Sequence, residues 1–340
     1  MILVTGGAGY IGSHTVIALL KVGYDVVIFD SLELGHSETV RALNSIQSKG
    51  RVIDFIQGDL KNIQDIKSVF FKYPDISSVI HFAAYSQVGE SVQNPQKYYF
   101  NNVGGTLNLL EAMLENNIKY IVFSSTAAVY GNAVYTPIDE EHLQKPINPY
   151  GKTKLMIENI MDDYDKAYGL KSVRLRYFNV AGADSERRVG EWHNPETHLI
   201  PNILKSTFNG GKTFEMYGTD YNTKDGTCVR DYINVEDLAR AHVLAIEYLA
   251  KGGNTNFFNL GTQEGNSVKE VFKTCEKVTN KNIPVLEKPR RAGDPPILVA
   301  ANEKAAKFLG WKPEKTIQDS IKTAYEWEKV LQNRIKKEDK

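Results

Sequence analysis

The feature that most constrains the fold is an apolar run that ends in closely spaced glycines. Ile2–Thr5 is followed directly by GGAGYIG at positions 6–12. Gly6, Gly9 and Gly12 have G-x-x-G-x-x-G spacing, and with Gly7 in first place the same segment satisfies G-x-G-x-x-G. A chain that turns sharply through small residues into a helix lets its backbone touch a pyrophosphate, which the free N–H groups of the helix then face. The segment therefore predicts a dinucleotide-binding strand–loop–helix unit, and the simpler alternative is a tight structural turn.

The alternation continues through the first half of the chain. Apolar runs rich in Val, Ile and Phe are each followed by a stretch of helical length, and such runs suit strands buried on both faces of a parallel sheet. The later runs are Asp25–Asp30, Val52–Gln57, Val79–Phe82, Tyr120–Ser124 and Ser172–Phe178, with a helix expected over Pro149–Tyr168. We predict an α/β fold, a Rossmann-type doubly wound parallel sheet with a smaller C-terminal substrate-binding domain.

The character of the chain changes after about Gly182, where Gly, Asn, Asp and Pro become frequent, as around Gly293. Two later segments, Val235–Ala250 and Thr316–Leu331, still have the pattern of amphipathic helices. We predict a dinucleotide-binding Rossmann domain over 1–180 and a mostly substrate-binding domain over 181–332, some segments of which return to the first domain. Residues 333–340 are expected to be a frayed tail.

Composition excludes several classes of function. Lys and Arg total 41 and Asp and Glu total 41, so no overall field attracts nucleic acid or an anionic membrane. The N-terminus lacks the features of a signal peptide, and no apolar run approaches the roughly 18 residues of a membrane span. Cys228 and Cys275 alone do not make a disulfide framework. We expect a cytoplasmic protein with no nucleic-acid or membrane partner.

An acidic residue stands where a dinucleotide fold needs one. Asp30 ends the second predicted strand, 18 residues after Gly12, and no arginine follows it directly. A carboxylate there accepts from both ribose hydroxyls and repels a 2′-phosphate, so NAD is favoured over NADP. Asp59 and the segment 81–84 follow the third and fourth strands, at the edge where such sheets bind ligands.

A tyrosine and a lysine lie one helical turn apart directly behind a proline. Tyr150 and Lys154 share one face of the predicted helix, and Pro149 suits its first turn. A phenol with a pKa near ~10 is a poor base, but a nearby ammonium and an oxidised nicotinamide both favour the phenolate. Ser124, Ser125 and Thr126 close the fifth strand, so a hydroxyl of this cluster can meet the same substrate oxygen. We therefore predict proton transfer by Tyr150, whereas the spacing alone is common on helices.

These residues also carry a family resemblance that extends from residue 1 to about 330. The chain resembles the extended short-chain dehydrogenase/reductase superfamily and, within it, the family of UDP-glucose 4-epimerases. The motifs that carry the resemblance are TGGAGYIGSH (5–14), VGESV (88–92), SSTAAVYG (124–131), NPYGKTK (148–154), LRYFN (175–179), GTCVRDYI (226–233) and RRAGD (290–294).

The resemblance implies a reaction and its catalytic residues. Tyr150 would remove the 4′-hydroxyl proton of a UDP-hexose while the C4′ hydride passes to bound NAD, and both would return after the keto sugar turns over. Thr126 would hydrogen-bond the 4′-oxygen, and Lys154 would hold the nicotinamide ribose and lower the pKa of Tyr150. The expected substrates are UDP-glucose and UDP-galactose, and a homodimer is expected, with Pro95–Asn116 and Pro149–Tyr168 as candidate interface helices.

The resemblance also implies the binding residues. Those expected at the cofactor are Gly6, Gly9, Tyr10, Ile11, Gly12, Asp30, Ser31, Asp59, Leu60, Phe82, Ala83, Ala84, Asn101, Ser124, Tyr150, Lys154, Tyr177 and Phe178. Those expected at the UDP-sugar are Thr126, Tyr150, Asn179, His198, Leu199, Arg230, Tyr232, Arg291, Asp294 and Leu298. The two arginines, in separate glycine-bearing loops, suit a diphosphate because a guanidinium pairs with two oxygens at once.

Four departures from related enzymes refine these expectations. Ala127 and Ala128 stand where the 4,6-dehydratases of the superfamily carry Asp-Glu, so loss of water is disfavoured. Ser86 replaces a lysine near the cofactor in several members, and His198 replaces an asparagine near the substrate. Leu298 aligns with a gate residue and is intermediate in size, so we also expect some activity on UDP-GlcNAc and UDP-GalNAc.

Other functions remain open on the sequence. One is a related UDP-hexuronate or UDP-pentose 4-epimerase, and another is a non-catalytic NAD-sensing protein, which the Tyr150–Lys154 pair argues against. Glu191, His193, Glu196 and His198 crowd one loop, but their spacing is not that of a helical H-E-x-x-H motif. We expect a substrate-side loop there and no metal.

Overall fold

The computed structural model describes residues 1–46, 48–208, 213–291 and 294–338, with side chains as far as Arg334. Gly293, cited above in the glycine-rich segment, and the last two residues of the predicted tail lie outside the described residues. The described strands are β1 (Ile2–Thr5), β2 (Val26–Asp30), β3 (Val52–Gln57), β4 (Ser78–His81), β5 (Tyr120–Thr126), β6 (Lys171–Tyr177), β7 (Asn179–Ala181), β8 (Phe214–Tyr217), β9 (Val229–Asn234), β10 (Asn256–Leu260), β11 (Gly265–Ser267), β12 (Val285–Lys288) and β13 (Ile297–Leu298).

Helices follow most of these strands. They are α1 (Tyr10–Val22), α2 (Ser37–Asn44), α3 (Ile63–Lys72), α4 (Val88–Gln93), α5 (Pro95–Tyr98), α6 (Gly105–Glu115), α7 (Pro149–Tyr168), α8 (Leu199–Lys205), α9 (Val235–Ala250), α10 (Val268–Thr279), α11 (Glu303–Leu309) and α12 (Ile317–Glu338). A π-helical segment, Tyr99–Gly104, joins α5 to α6, and a 3₁₀ turn, Ala127–Val129, follows β5.

The central element is a seven-stranded parallel sheet in the order β10-β6-β5-β4-β1-β2-β3. Its inner strands carry almost only buried residues because apolar cores cover both faces. One core includes Val4, Ile28 and Val122, and the other includes Leu3 and Phe123. The predicted Rossmann-type doubly wound fold is confirmed.

One strand of this sheet comes from the second half of the chain. β10 pairs with β6 in parallel, and α9, from the same half, packs against α1. The remaining strands form smaller sheets, one with β11, β9 and β13 in order and β7 paired to β9, and one with β12 and β8. The separation into a cofactor domain and a substrate domain is therefore kept as a proposal, with β10 and α9 assigned to the first.

Two predicted helices have different limits in the structure. The segment predicted as one helix, Pro95–Asn116, contains α5, the π-helical Tyr99–Gly104 and α6. The last helix is Ile317–Glu338 rather than Thr316–Leu331, so it includes much of the segment expected to fray. Across the described chain, no helix combines the length and apolar character needed to cross a membrane.

Candidate active site

The glycine loop fits closely between β1, β4 and its own helix. Gly6 has φ 72°, and a Cβ there would lie 2.7 Å from the backbone nitrogen of Ala83. A Cβ at Gly12 would lie 2.2 Å from the carbonyl oxygen of Gly6. Both positions therefore exclude a side chain, and the loop presents bare backbone at the N-terminus of α1. Such a cradle fits the pyrophosphate of a dinucleotide.

Asp30 closes this cradle at the end of β2. Its carboxylate accepts hydrogen bonds from the backbone N–H groups of Ala8 at 3.0 Å and Leu32 at 2.9 Å. Burial raises the pKa of Asp30, and these two hydrogen bonds act in the opposite direction. The acid and the glycine loop therefore form one unit, in the arrangement that suits a ribose beside a pyrophosphate.

Helix α7 begins where the sequence predicts, and local contacts explain why. The side chain of Asn148 accepts a hydrogen bond from the backbone N–H of Gly151 at 2.8 Å, and Pro149 takes the first position. A Cβ at Gly151 would lie 2.5 Å from the carbonyl oxygen of Ala128. The start of α7 thus packs directly on the 3₁₀ turn after β5, which brings Tyr150 to the end of that strand.

Lys154 projects from α7 into the interior beside β5. Lys154 is 2% exposed, and its Nζ donates a 2.6 Å hydrogen bond to the carbonyl oxygen of Ser124. The same atom lies 4.6 Å from the ring centre of Phe123 and 5.9 Å from that of Tyr150. Burial lowers the pKa of Lys154 to about 7, although the nearby Glu158 carboxylate favours the charged form.

The expectation that Lys154 lowers the pKa of Tyr150 does not hold in this structure. Burial raises the pKa of Tyr150 to about 12, and only the hydrogen bond with Thr126 opposes this increase. The physical reason is that the same burial pushes Lys154 towards its neutral amine, which weakens its field on the phenol. A phenolate at Tyr150 needs further positive charge close to it.

The end of β5 supplies hydroxyl groups to the same region. Thr126 is 9% exposed, and its Oγ1 accepts a 3.2 Å hydrogen bond from the backbone N–H of Ala128. The hydroxyls of Ser124 and Tyr177 form a short hydrogen bond across β5 and β6. The predicted cluster at this strand end is therefore assembled from Tyr150, Lys154 and these groups.

Sequence reasoning missed a buried ion pair behind this cluster. Glu158 lies one turn beyond Lys154 on α7, and its carboxylate contacts the guanidinium of Arg176, with Nε–Oε1 at 2.9 Å. Ser125 donates to Glu158 at 2.5 Å, and Arg176 donates to the Tyr130 hydroxyl at 2.9 Å. The signal for Glu158 was its spacing of four residues from Lys154, which puts both on one face.

The other predicted cofactor residues lie at strand ends and on the helix that follows. Phe82 packs its ring 4.7 Å from that of His242, and Ala83 lies against Gly6. Leu60 is buried after β3, and the carboxylate of Asp59 accepts from the backbone N–H of Lys61 at 2.8 Å. The remaining ones are Tyr10 and Ile11 in α1, Ser31 directly after β2, Ala84 after β4, Asn101 in the π-helical segment and Phe178 between β6 and β7.

Strand pairing brings together several of the predicted substrate residues. Asn179 of β7 is in register with Tyr232 of β9, and Leu298 of β13 is in register with Arg230. Arg230 therefore lies within β9, so the prediction that it occupies a loop was wrong; β9 pairs with three strands, which hold it in extended conformation. Its guanidinium lies 3.3 Å from the carboxylate of Asp294.

Other predicted substrate residues lie on separate segments. Arg291 stacks its guanidinium 4.2 Å from the ring centre of Tyr217. Leu298 packs with Phe178 against Val129 and Tyr130, next to the turn that α7 contacts. Leu199 begins α8.

The loop before α8 gathers the four acidic and histidine side chains that the sequence places close together. Glu191, His193, Glu196 and His198 each offer one possible ligand atom, and these atoms all lie within 4.8 Å of one another. Burial alone lowers the pKa of His198, but its contacts with Glu191 outweigh burial and raise it. The ring of His193 lies 6.3 Å from that of Tyr10, so the cluster adjoins the start of α1.

Comparison with known proteins identifies the family. The family model described as GDP-mannose 4,6 dehydratase matches residues 3–324. A UDP-glucose 4-epimerase from Lactobacillus helveticus is 50% identical over 329 residues, which cover 96% of this chain and 97% of the relative.

Solved structures agree with this assignment. A UDP-glucose 4-epimerase from Brucella ovis in complex with NAD superposes with a TM-score of 0.89 at 46% identity, covering 96% of this chain and 97% of the other. The UDP-glucose 4-epimerase from Bifidobacterium longum in complex with NAD⁺ and UDP superposes with a TM-score of 0.90 at 40% identity, covering 98% of this chain and 99% of the other.

Proposed function

This chain belongs to the GDP-mannose 4,6 dehydratase family, and we propose that within it the protein acts as an NAD-dependent UDP-glucose 4-epimerase. The observation that carries the proposal is the face of α7 that bears Tyr150 and the buried Lys154, packed on the hydroxyl-bearing end of β5. The similarity of this chain to a UDP-glucose 4-epimerase, at 50% sequence identity over 96% of its length, supports the same reaction. The interconverted pair is UDP-galactose and UDP-glucose.

The residues of the glycine loop fit NAD. Gly6 and Gly12 leave bare backbone for the pyrophosphate, and Asp30 offers a carboxylate for the adenosine ribose. Lys154 would contact the nicotinamide ribose. The solved complexes of relatives with NAD support this assignment.

Each step of the epimerisation is assigned to a side chain at the end of β5. When bound, NAD supplies the hydride acceptor and donor, together with a positive charge that favours the Tyr150 phenolate. The phenolate oxygen of Tyr150 would take the proton of the 4′-hydroxyl and return it to the same oxygen once C4′ is inverted. The Thr126 hydroxyl donates a hydrogen bond to the 4′-oxygen and holds it at Tyr150. The sugar would regain both the proton and the hydride that it gives up, so the reaction would have no net consumption of NAD or of protons.

The family name includes dehydratases, and the turn after β5 argues against dehydration here. Ala127 and Ala128 form this 3₁₀ turn directly after Thr126. Loss of water from the sugar needs an acid and a base beside the catalytic threonine, and two methyl groups provide neither. The side chains at this turn therefore support epimerisation and provide no groups for the loss of water.

The UDP moiety is assigned to the sheet around β9 and to α8. Arg230 and Arg291 would bind the diphosphate, and Asp294 would accept from the uridine ribose once its 3.3 Å contact with Arg230 opens. Asn179, His198, Leu199 and Tyr232 would complete the site, in which Leu298 borders the sugar. The UDP in a relative's structure supports this class of substrate.

We also propose a homodimer and a cytoplasmic location. Exposed apolar residues on neighbouring helical segments suit a face that pairs in a homodimer; their exposed fractions are 61% for Val92, 66% for Phe100 and 44% for Met156. Light scattering on the purified protein would test this, since Phe100→Glu should shift a dimer towards monomer. Both cysteines are buried and unpaired with each other, which agrees with a cytoplasmic location.

Replacing Tyr150 by phenylalanine tests the function. Tyr150→Phe should reduce conversion of UDP-galactose to UDP-glucose by about 10²–10⁴-fold, while NAD released on denaturation stays at the wild-type amount. Tyr168→Phe, at the exposed end of the same helix, is the matched control and should keep full activity. Undiminished turnover by Tyr150→Phe would refute the assigned role.

A substrate panel separates the remaining functions. If the wild-type protein turns over UDP-hexuronates or UDP-pentoses but not UDP-galactose, it is a related 4-epimerase. Protein that binds NAD but turns over none of these substrates would instead be an NAD sensor.

A further inference from the structure

The cluster formed by Glu191, His193, Glu196 and His198 has the composition of a metal site. Two imidazole nitrogens and two carboxylate oxygens converge from one loop, all within 4.8 Å. Zinc is bound in proteins by such nitrogen and oxygen donors, four at a time. The proposed epimerisation uses none of these side chains as an acid or base and assigns only His198 to the UDP-sugar, so it does not explain why all four converge.

The spacing of the donor atoms is close to what a tetrahedral ion requires. Ligands about 2.0–2.1 Å from a tetrahedral metal lie about 3.3 Å from one another. His193 Nδ1 is 3.2 Å from Glu191 Oε1 and 3.9 Å from Glu196 Oε2, and His198 Nδ1 is 3.2 Å from Glu196 Oε1. Of these contacts, the 2.6 Å distance between His198 Nδ1 and Glu191 Oε1 would have to lengthen, and the 3.9 Å distance between His193 Nδ1 and Glu196 Oε2 would have to shorten.

Two possible ligand atoms of the cluster are buried and make no well-aligned hydrogen bond. These are Nδ1 of His193, despite its 3.2 Å distance from Glu191 Oε1, and Oε2 of Glu196, whose side chain is 4% exposed. The amine of Lys205 lies 3.8 Å from that oxygen, which is too long for a hydrogen bond. Leaving buried polar atoms unsatisfied is costly, and one cation placed between them would satisfy both.

The backbone around the cluster is held independently of any ion. Glu196 Oε1 accepts hydrogen bonds from the backbone N–H groups of Thr197 and His198, both at 2.9 Å. Trp327 Nε1 donates to the carbonyl oxygen of Glu191 at 2.9 Å. The loop is thus fixed in a shape that keeps its four side chains turned towards one point. His198, with its side chain 52% exposed, leaves a way in from solvent.

We propose that these four side chains bind one divalent transition-metal ion of the Zn²⁺ class. Imidazole favours zinc, nickel, iron or copper over magnesium and calcium, which take oxygen ligands. The ion would have a structural role, since it would satisfy the buried polar atoms of the loop that leads into α8. Metal binding itself does not depend on the proposed epimerase activity, so each can fail without the other.

The test uses the full-length, untagged protein as purified, with its bound nucleotide retained. After treatment with a chelator and exchange into metal-free buffer, Zn²⁺ is titrated by calorimetry, and Co²⁺ is added separately to record visible absorption. We expect one Zn²⁺ per chain, an increase in melting temperature on Zn²⁺ addition, and the intense absorption of tetrahedral Co²⁺.

Variants locate the binding. His193→Ala and Glu196→Gln should each weaken Zn²⁺ binding by at least about tenfold, and Glu196→Gln retains an oxygen for the two backbone hydrogen bonds. Glu186→Gln removes a nearby exposed carboxylate, and His36→Asn removes a neighbouring imidazole outside the cluster, so both should bind Zn²⁺ as the wild type does.

Three results would overturn the proposal. One is wild-type protein that binds no Zn²⁺ after chelation, and another is a Co²⁺ spectrum without tetrahedral character. The third is equal Zn²⁺ affinity in the wild type and both cluster variants, which would mean adventitious binding elsewhere on the surface.

Discussion

Lys154 extends from α7 to the end of β5, where its Nζ donates a 2.6 Å hydrogen bond to the carbonyl oxygen of Ser124. Thr126 follows two residues later on the same strand, and Tyr150 precedes Lys154 by one helical turn. This one contact therefore links the two elements that carry the proposed catalytic groups. It also gives the buried amino group of Lys154 a polar partner, which it needs away from water.

Replacing Lys154 by methionine should separate its charge from its volume. Lys154→Met retains a long side chain against Phe123 but loses the donor to Ser124 and the positive charge beside Tyr150. We expect the rate of UDP-galactose conversion to fall by about 10²–10⁴-fold, with the melting temperature near that of the wild type. Lys152→Met, on the exposed side of the same helix, is the control and should leave the rate unchanged.

Adding one methyl group at Gly151 should displace the start of α7. A Cβ there would lie 2.5 Å from the carbonyl oxygen of Ala128 and 3.1 Å from Pro146. Gly151→Ala should therefore lower the free energy of unfolding by about 1–3 kcal/mol and lower kcat, because Tyr150 moves with the helix. Gly89→Ala in α4, where a Cβ meets nothing within 4 Å, should be neutral or stabilising in the same urea titration. Equal stabilities of the two variants would contradict the close packing.

His81 should make the fold sensitive to acid. The Thr106 hydroxyl donates to the carbonyl oxygen of Asn102, so its oxygen accepts a hydrogen bond from His81 Nε2. The other ring nitrogen, Nδ1, must then accept from the Thr5 hydroxyl at 2.7 Å. Burial, together with the charge of Lys154, lowers the pKa of His81 to about 3. In the unfolded chain this imidazole takes up a proton near pH ~6.5. The stability that neutral His81 contributes is therefore fully present above that pH and is lost as the pH falls towards 3.

Urea unfolding at neutral pH and near pH ~5 measures this contribution. His81→Gln should reduce the loss of stability on acidification, by an amount on the order of 1 kcal/mol or more. Some loss will remain, because burial also lowers the pKa of His242, to about 4. His36→Asn should retain the wild-type difference, and a His81→Gln variant with the same pH dependence as the wild type would exclude this role.

Leu298 should control which sugars enter the site. It packs with Phe178 beside the turn after β5, so a larger side chain there would narrow the space next to the proposed catalytic groups. We expect wild-type protein to epimerise UDP-GlcNAc as well as UDP-galactose, and Leu298→Tyr to lose the acetylated substrate by about tenfold or more while keeping UDP-galactose. The two rates are compared on the same preparations. Absence of any UDP-GlcNAc turnover by the wild type would remove this prediction.

Much of the first half of the fold could be predicted because its signals are local. The runs ending at Thr5, Asp30 and Gln57 are strands with the expected limits or nearly so, and α7 begins and ends as predicted. The interruption of the helix between Pro95 and Asn116 could not be predicted, because its wider turn depends on side chains from other elements.

The sequence by itself determined the glycine loop, the acid after β2 and the shared face of Tyr150 and Lys154. These follow from spacing along a strand or helix, where backbone geometry alone sets direction. Only the tertiary structure decided that β10 completes the main sheet, that Arg176 lies against Glu158 and that Lys154 is buried, which lowers its pKa to about 7. Those relationships depend on which distant segments pack together and how much water they exclude, and neither quantity is encoded in local spacing.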